Sequence, residues 1–159
     1  MGLDKKFIGK KYGPTTYQVG VEKLREFAYA ISGGIPSHGW GGHPPDGLHP
    51  WLYDEQAAKA SPTGGVVGFP GFAVAFAITP FHEAVTDPAI GINLLMLVHG
   101  EQEFEFEEPI KPGDVMTTTG EIVEIYEKAN MDFFVVTTES KNQHGKVAVK
   151  GRWMAVIRR

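Results

Sequence analysis

The stretch Gly64–Val85, GGVVGFPGFAVAFAITPFHEAV, decides how the rest of the chain is read. It opens on glycines and a proline, then runs apolar on nearly every side through Phe72, Ala73, Val74, Ala75, Phe76, Ala77, Ile78 and Phe81. Such a run is either a helix buried on all faces or a strand pair inside a sandwich. Its length after Gly71 exceeds the ~5–6 residues of a typical strand, which favours the helix. Pro80 removes one backbone hydrogen bond, so the helix is expected over Phe72–Val85 with a bend or restart near Thr79–Pro80. A helix apolar all round needs other elements to wrap it.

The flanking sequence supplies them. On the N-terminal side, Lys5–Tyr12 reads as an irregular basic lead-in and Thr15–Val19 as a short edge strand. Val21, Leu24, Phe27, Ala28 and Ile31 recur at helical spacing opposite Glu22, Lys23, Arg25 and Glu26, which predicts an amphipathic helix stopped by Ser32-Gly33-Gly34. Trp51–Ala60 is expected to be helical, with Pro50 as its first residue. Beyond Asp87-Pro88 the period falls to two. Ile92–Val98 reads as a continuous apolar strand. In Glu101–Glu107 the glutamates 101, 103, 105 and 107 share one face, with Gln102, Phe104 and Phe106 on the other. Val115–Lys128, Met131–Ser140 and Lys146–Arg158 follow as strands joined by tight turns. Helices followed by an antiparallel sheet make an α+β protein whose sheet curves around the apolar helix.

The chain has 159 residues, 42% hydrophobic and 21% charged, with a formal net charge of −4. That is the composition of a globular protein read as one domain over residues 1–159, with 33–50 as a loop insertion. The mildly acidic balance offers nothing to nucleic acid or an anionic membrane surface. No apolar run reaches the ~18–20 residues of a membrane span, and no signal-peptide core precedes the domain, so a cytoplasmic protein is expected. With no cysteine, disulfides and thiolate chemistry are excluded.

The segment Ile35–Pro50, IPSHGWGGHPPDGLHP, holds three of the six histidines, His38, His43 and His49, beside Asp46. Imidazole and carboxylate are suitable metal ligands, but this spacing matches no ligand motif and HExxH is absent, so no metal or other cofactor is expected. Asp46 with His38 or His49 is the candidate acid–base pair; a polar loop over a tunnel mouth or dimer edge is the plainer reading. Gly68, Phe69 and Gly71 begin the buried helix, where unpaired amides and the helix dipole favour a developing negative charge. A tight turn that needs glycine accounts for the same residues. His82 and His99 are expected to be structural.

Leu97-Val98-His99-Gly100-Glu101-Gln102-Glu103-Phe104-Glu105-Phe106, then Pro109-Ile110 and Pro112-Gly113-Asp114, resembles the N-terminal type of MaoC-like dehydratase domain. So do Phe7-Ile8-Gly9-Lys10, Tyr17 and the helix after it. The resemblance implies a hot-dog fold and reversible hydration of a trans-2-enoyl thioester of CoA or acyl carrier protein, giving the (3R)-hydroxyacyl product. That chemistry needs a carboxylate and an imidazole at one water and amides for the enolate oxygen. In active members the pair comes from Asp-x-Asn-Pro-(Leu/Ile/Val)-His after the first long helix. Here one register puts Gly47 at the Asp, His49 at the Asn and Leu52 at the His. The other, on Pro36-Ser37-His38, puts Gly33 and Ile35 at the Asp and Asn. Two readings stand: a hydro-lyase using non-standard loop residues, or a substrate-binding subunit beside a motif-bearing partner. A thioesterase is more distant. A dimer is expected, either a homodimer or a heterodimer with a MaoC-like partner, because a lone hot-dog domain leaves a sheet edge open.

Overall fold

The computed structural model describes residues 2–33 and 47–159. Five strands form one sheet in the order β1-β3-β4-β5-β2: β1 is Lys11–Gln18, β2 Leu97–Phe106, β3 Val115–Lys128, β4 Met131–Lys141 and β5 Val147–Arg158. The β3–β4, β4–β5 and β5–β2 pairings are antiparallel. Among the described residues β1 and β2 are the two edges. The strand periodicity located β3, β4 and β5 well, but β2 lies beside β5 rather than beside its sequence neighbour β3.

The chain divides into two compact units. The first holds 1–17, 75–108 and 116–159. Its core lies between the sheet and the helix α4, Thr79–Val85. Trp153 of β5, fully buried, stacks on Phe81 of α4 with ring centroids 5.8 Å apart, and its indole N–H donates to Thr138 Oγ1 at 2.9 Å. A second buried pair, Thr118 Oγ1 and Ser140 Oγ at 2.8 Å, links β3 to β4. Gly120 admits the helix closely: a Cβ there would stand 2.6 Å from Pro80 Cβ.

The apolar run itself is three short pieces rather than one long helix. A 3₁₀ turn over Pro70–Ala73 leads into α3, Val74–Ala77, and α4 restarts after Ile78. Pro80 then falls in the first turn of α4, where its missing N–H breaks no hydrogen bond. The expected restart is therefore present, and its cause is the proline.

The second unit holds 18–74 and 109–115. Its first helix, α1, covers Val21–Ser32, buries Leu24 and Ala28, and ends at Gly33 in the left-handed region with φ 70°. Trp51–Ala60 is not one helix. His49 caps a 3₁₀ turn over Pro50–Leu52, and Asp54 accepts from the amides of Gln56 and Ala57 at 2.8 and 3.0 Å, starting a separate α2 over Glu55–Ala58. An aspartate that caps its own following turn has cut the helix in two.

Ile92–Val98 also departs from expectation. Asn93 Oδ1 accepts from the Leu95 amide at 3.1 Å and caps a 3₁₀ turn over Leu94–Met96, so the strand begins only at Leu97. Leu95 is 94% exposed. Among the described residues no helix is long and apolar enough to cross a membrane.

Candidate functional site

The turn at Gly68–Gly71 belongs to the second unit and is held from two sides. The Gly68 amide donates to the Ile110 carbonyl at 2.8 Å, and a Cβ on Gly68 would lie 3.1 Å from Leu24 Cδ2 and 3.3 Å from Ile110 Cβ. Glycine at 68 thus packs tightly between α1 and the segment carrying Ile110, and a side chain there would need Leu24 or Ile110 to give by a few tenths of an ångström. At Gly71 the same hypothetical carbon meets only ordinary contacts, 3.5 Å from the rings of Phe27 and Phe69, so space does not demand glycine there. Phe27 of α1 lies 6.4 Å from Phe69 and 5.7 Å edge-on from Phe72, which fixes the aromatic side of the turn.

The Pro112-Gly113-Asp114 motif explains why this arrangement is stable. Gly113, at φ 87°, donates to the Val19 carbonyl, and the Val19 amide donates back to the Asp114 carbonyl, both at 2.8 Å. Asp114 Oδ2 accepts from the Lys111 amide at 2.8 Å and holds the turn closed. One short segment therefore grips the residue that leads into α1 and, through Ile110, the residue that leads into the apolar run.

The amide inventory of the turn is now specific. Gly68 has spent its donor on Ile110, and Pro70 has none. The amides of Phe69 and Gly71 find no acceptor among the described residues. They are the first amides of a 3₁₀ turn, which leaves such groups without an intrahelical partner. These two donors can meet a carbonyl oxygen that gains negative charge.

The proposed acid–base residues divide differently. His38 and Asp46, with His43, lie outside the described residues. His49 Nδ1 accepts from the Trp51 amide at 3.3 Å and its ring sits 4.3 Å from the Trp51 ring. That contact commits Nδ1 to capping as an acceptor. Gly47 adopts φ 72°, and Leu52 closes the 3₁₀ turn as a half-buried apolar residue. In the described part of this segment no carboxylate is set beside an imidazole. No cluster of three or more histidines and carboxylates arranged to hold a metal occurs among the described residues.

Two titratable groups that sequence reasoning missed lie in the sheet unit. Asp87, at the end of α4, takes hydrogen bonds from Lys10 Nζ and, at 2.7 Å, from the Tyr12 hydroxyl. The Lys10 hydrogen bond first, then those of Tyr12 and the Ala89 amide, lower the Asp87 carboxyl to about 2. Burial, then the adjacent carboxylate, raise the Tyr12 phenol. The constellation straps β1 to α4, and the lone signal in the sequence was an Asp-Pro following a helix. His99 lies 5.7 Å from Phe81 and 5.9 Å from Trp153 beside a bulge at Gly100, where a Cβ would stand 2.8 Å from Val156 Cγ2.

A family model described as FAS1-like, dehydratase domain region, matches residues 6–150. Among curated proteins, a UPF0336 protein of Saccharopolyspora erythraea is 35% identical over 159 residues, covering 99% of this chain and 93% of that one. A UPF0336 protein of Streptomyces avermitilis is 35% identical over 150 residues, covering 94% and 91%. Among solved structures, the C-terminally truncated HadBC (3R-hydroxyacyl-ACP dehydratase) complex of Mycobacterium tuberculosis superposes with TM-score 0.76 at 22% identity, over 98% of this chain and 99% of that one. The ChsH1-ChsH2 complex of the same organism gives TM-score 0.66 at 12% identity, over 95% and 98%. At these identities the structural likeness speaks for the fold, which is the α+β hot-dog.

Proposed function

The chain belongs to the FAS1-like dehydratase domain family, and from that premise we propose that it is the acyl-thioester-binding subunit of a (3R)-hydroxyacyl-thioester dehydratase, completed by a partner that brings the acid and base. The reaction is removal of a C2 proton and loss of the C3 hydroxyl as water, or its reverse on a trans-2-enoyl thioester of CoA or acyl carrier protein. One group takes the C2 proton, another protonates the departing hydroxyl, and negative charge collects on the thioester oxygen.

The observation that carries this reading is the segment after α1. Where an acid–base motif would stand it presents Gly47, a capping His49 and the apolar Leu52. What the chain offers instead is binding. In our reading Gly68, Phe69 and Gly71 form the turn that faces the thioester: Gly68 lets the turn pack, and the Phe69 and Gly71 amides donate to the oxygen. Two similar structures are complexes of two named components, HadBC and ChsH1-ChsH2, which supports a partnered arrangement.

The test is hydration of crotonyl-CoA followed by loss of the enoyl absorbance. The purified chain alone is expected to give no turnover, and addition of a hot-dog chain with an intact Asp-x-Asn-Pro-x-His motif is expected to restore it. Turnover by the chain alone, abolished by Asp46→Asn or His38→Ala, would overturn the partnered reading in favour of a self-sufficient hydro-lyase. Release of free CoA thiol would point instead to a thioesterase.

A further inference from the structure

Gly71 is a glycine that the fold does not ask for. It lies in the 3₁₀ turn Pro70–Ala73, outside the left-handed region, so its backbone suits other residues. Space among the described residues does not ask for it either. A Cβ there would stand 3.5 Å from Phe27 Cζ, 3.6 Å from Phe27 Cε1 and 3.5 Å from Phe69 Cδ1, ordinary contacts for one carbon. Alanine also has less freedom to lose on folding than glycine, so alanine at 71 should hold or raise stability. Gly68 is the contrast, since its Cβ would press on Leu24 and Ile110 at 3.1 and 3.3 Å.

What glycine leaves at 71 is a cleft. Phe27 and Phe69 are its walls, with ring centroids 6.4 Å apart and planes inclined by 32°, and the Gly71 Cα is its floor. A carbon placed above that floor touches both rings at once, so the gap admits a single layer of atoms. In the sheet unit, by comparison, Tyr126 and Phe133 close on each other, stacking at 4.7 Å and 4° from parallel. The buried Phe72 backs Phe27 edge-on at 5.7 Å, which makes that wall firm. Phe27, Phe69 and Gly71 are themselves only half-buried.

We propose that this cleft takes the C1–C3 segment of the acyl group and selects for a flat one. Phe27 and Phe69 are then specificity residues, and Gly71 keeps the space between them open. The inference rests on the reading above, in which the Phe69 and Gly71 amides donate to the thioester oxygen. In a trans-2-enoyl thioester the carbonyl and the C2=C3 bond are conjugated and coplanar, one atomic layer thick. A quaternary C2, as in a pivaloyl thioester, projects methyl groups out of that plane and into both rings.

The test is calorimetric titration of the purified full chain with crotonyl-CoA, pivaloyl-CoA and free CoA. Crotonyl-CoA is expected to bind wild type at least about tenfold more tightly than pivaloyl-CoA. Gly71→Ala plugs the cleft: its melting temperature should equal or exceed that of wild type, while crotonyl-CoA weakens to the level of free CoA. Phe27→Leu keeps an apolar side chain against Phe72 but removes the flat wall, and should bring the two thioesters within about threefold of each other. Three results overturn the proposal: Gly71→Ala melting well below wild type, Gly71→Ala binding crotonyl-CoA as wild type does, or wild type holding both thioesters equally. Each of these leaves the thioester reading of the turn in place. Crotonyl-CoA binding wild type no better than free CoA defeats that reading first, and this inference with it.

Discussion

β5 and β2 lie side by side in one ladder and carry opposite burdens. β5 is buried at nearly every second residue, with Trp153 and Ala155 fully enclosed, whereas β2 is exposed along almost its whole length. Both contain alternating large apolar residues, so alternation alone does not say how deeply a strand is set. Rank in the sheet does: β5 has a neighbour on each side and α4 against its inner face, and β2 has one neighbour among the described residues. The stability of the isolated chain should therefore reside in the inner strands, and the edge should be stable but energetically idle until something covers it.

The sharpest way to break that contrast is to truncate the same kind of side chain in each strand. Trp153→Ala removes the ring that stacks on Phe81 and the donor to Thr138, and is expected to cost about 3–5 kcal/mol in urea or thermal unfolding. Gly120→Val should follow at about 1–3 kcal/mol, since its Cβ meets Pro80 at 2.6 Å and neither backbone can easily yield. Next comes pH. The Asp87 carboxyl is lowered to about 2, so its contribution is present above the unfolded value of ~3.9 and is lost as pH falls toward 2. A melting-temperature profile from pH 6 downward should drop more steeply for wild type than for Asp87→Asn over that window. The smallest effect is expected at the edge: Phe106→Ala should lie within about 0.5 kcal/mol in the isolated chain. A loss at Phe106 as large as that at Trp153 would sink the contrast.

The same contrast explains what the sequence disclosed. α1, β3, β4 and β5 were legible because their apolar periodicity reflects a face that is truly buried, and Pro80 announced the restart of the central run. Ile92–Val98 misled because hydrophobicity was taken for burial, and the exposed Leu95 shows that the two can part company. Trp51–Ala60 misled because its helical residues outweigh the single Asp54 whose side chain starts a separate helix. Strand order was hidden for a different reason: which strand sits beside β5 is decided by contacts far apart in sequence. The site was half legible. Glycine at 68–71 marked a special turn, yet the Ile110 carbonyl that claims the Gly68 amide comes from a distant segment that no local pattern names. The Lys10–Tyr12–Asp87 strap escaped for the same reason.

The Pro112-Gly113-Asp114 turn has a consequence for sorting related sequences. Gly113 and Asp114 exchange hydrogen bonds with Val19, Asp114 closes the turn on Lys111, and the neighbouring Ile110 takes the Gly68 amide. A chain that keeps this turn has kept its scaffold, whatever has become of its acid and base. The turn is therefore a badge of architecture and a poor witness to catalysis. Loss of Asp114 should move circular dichroism and ligand binding together, whereas a lost acid or base silences turnover and leaves the spectrum alone. In the partnered reading proposed above, it is the residues that follow α1 that would separate the chains that react from those that hold.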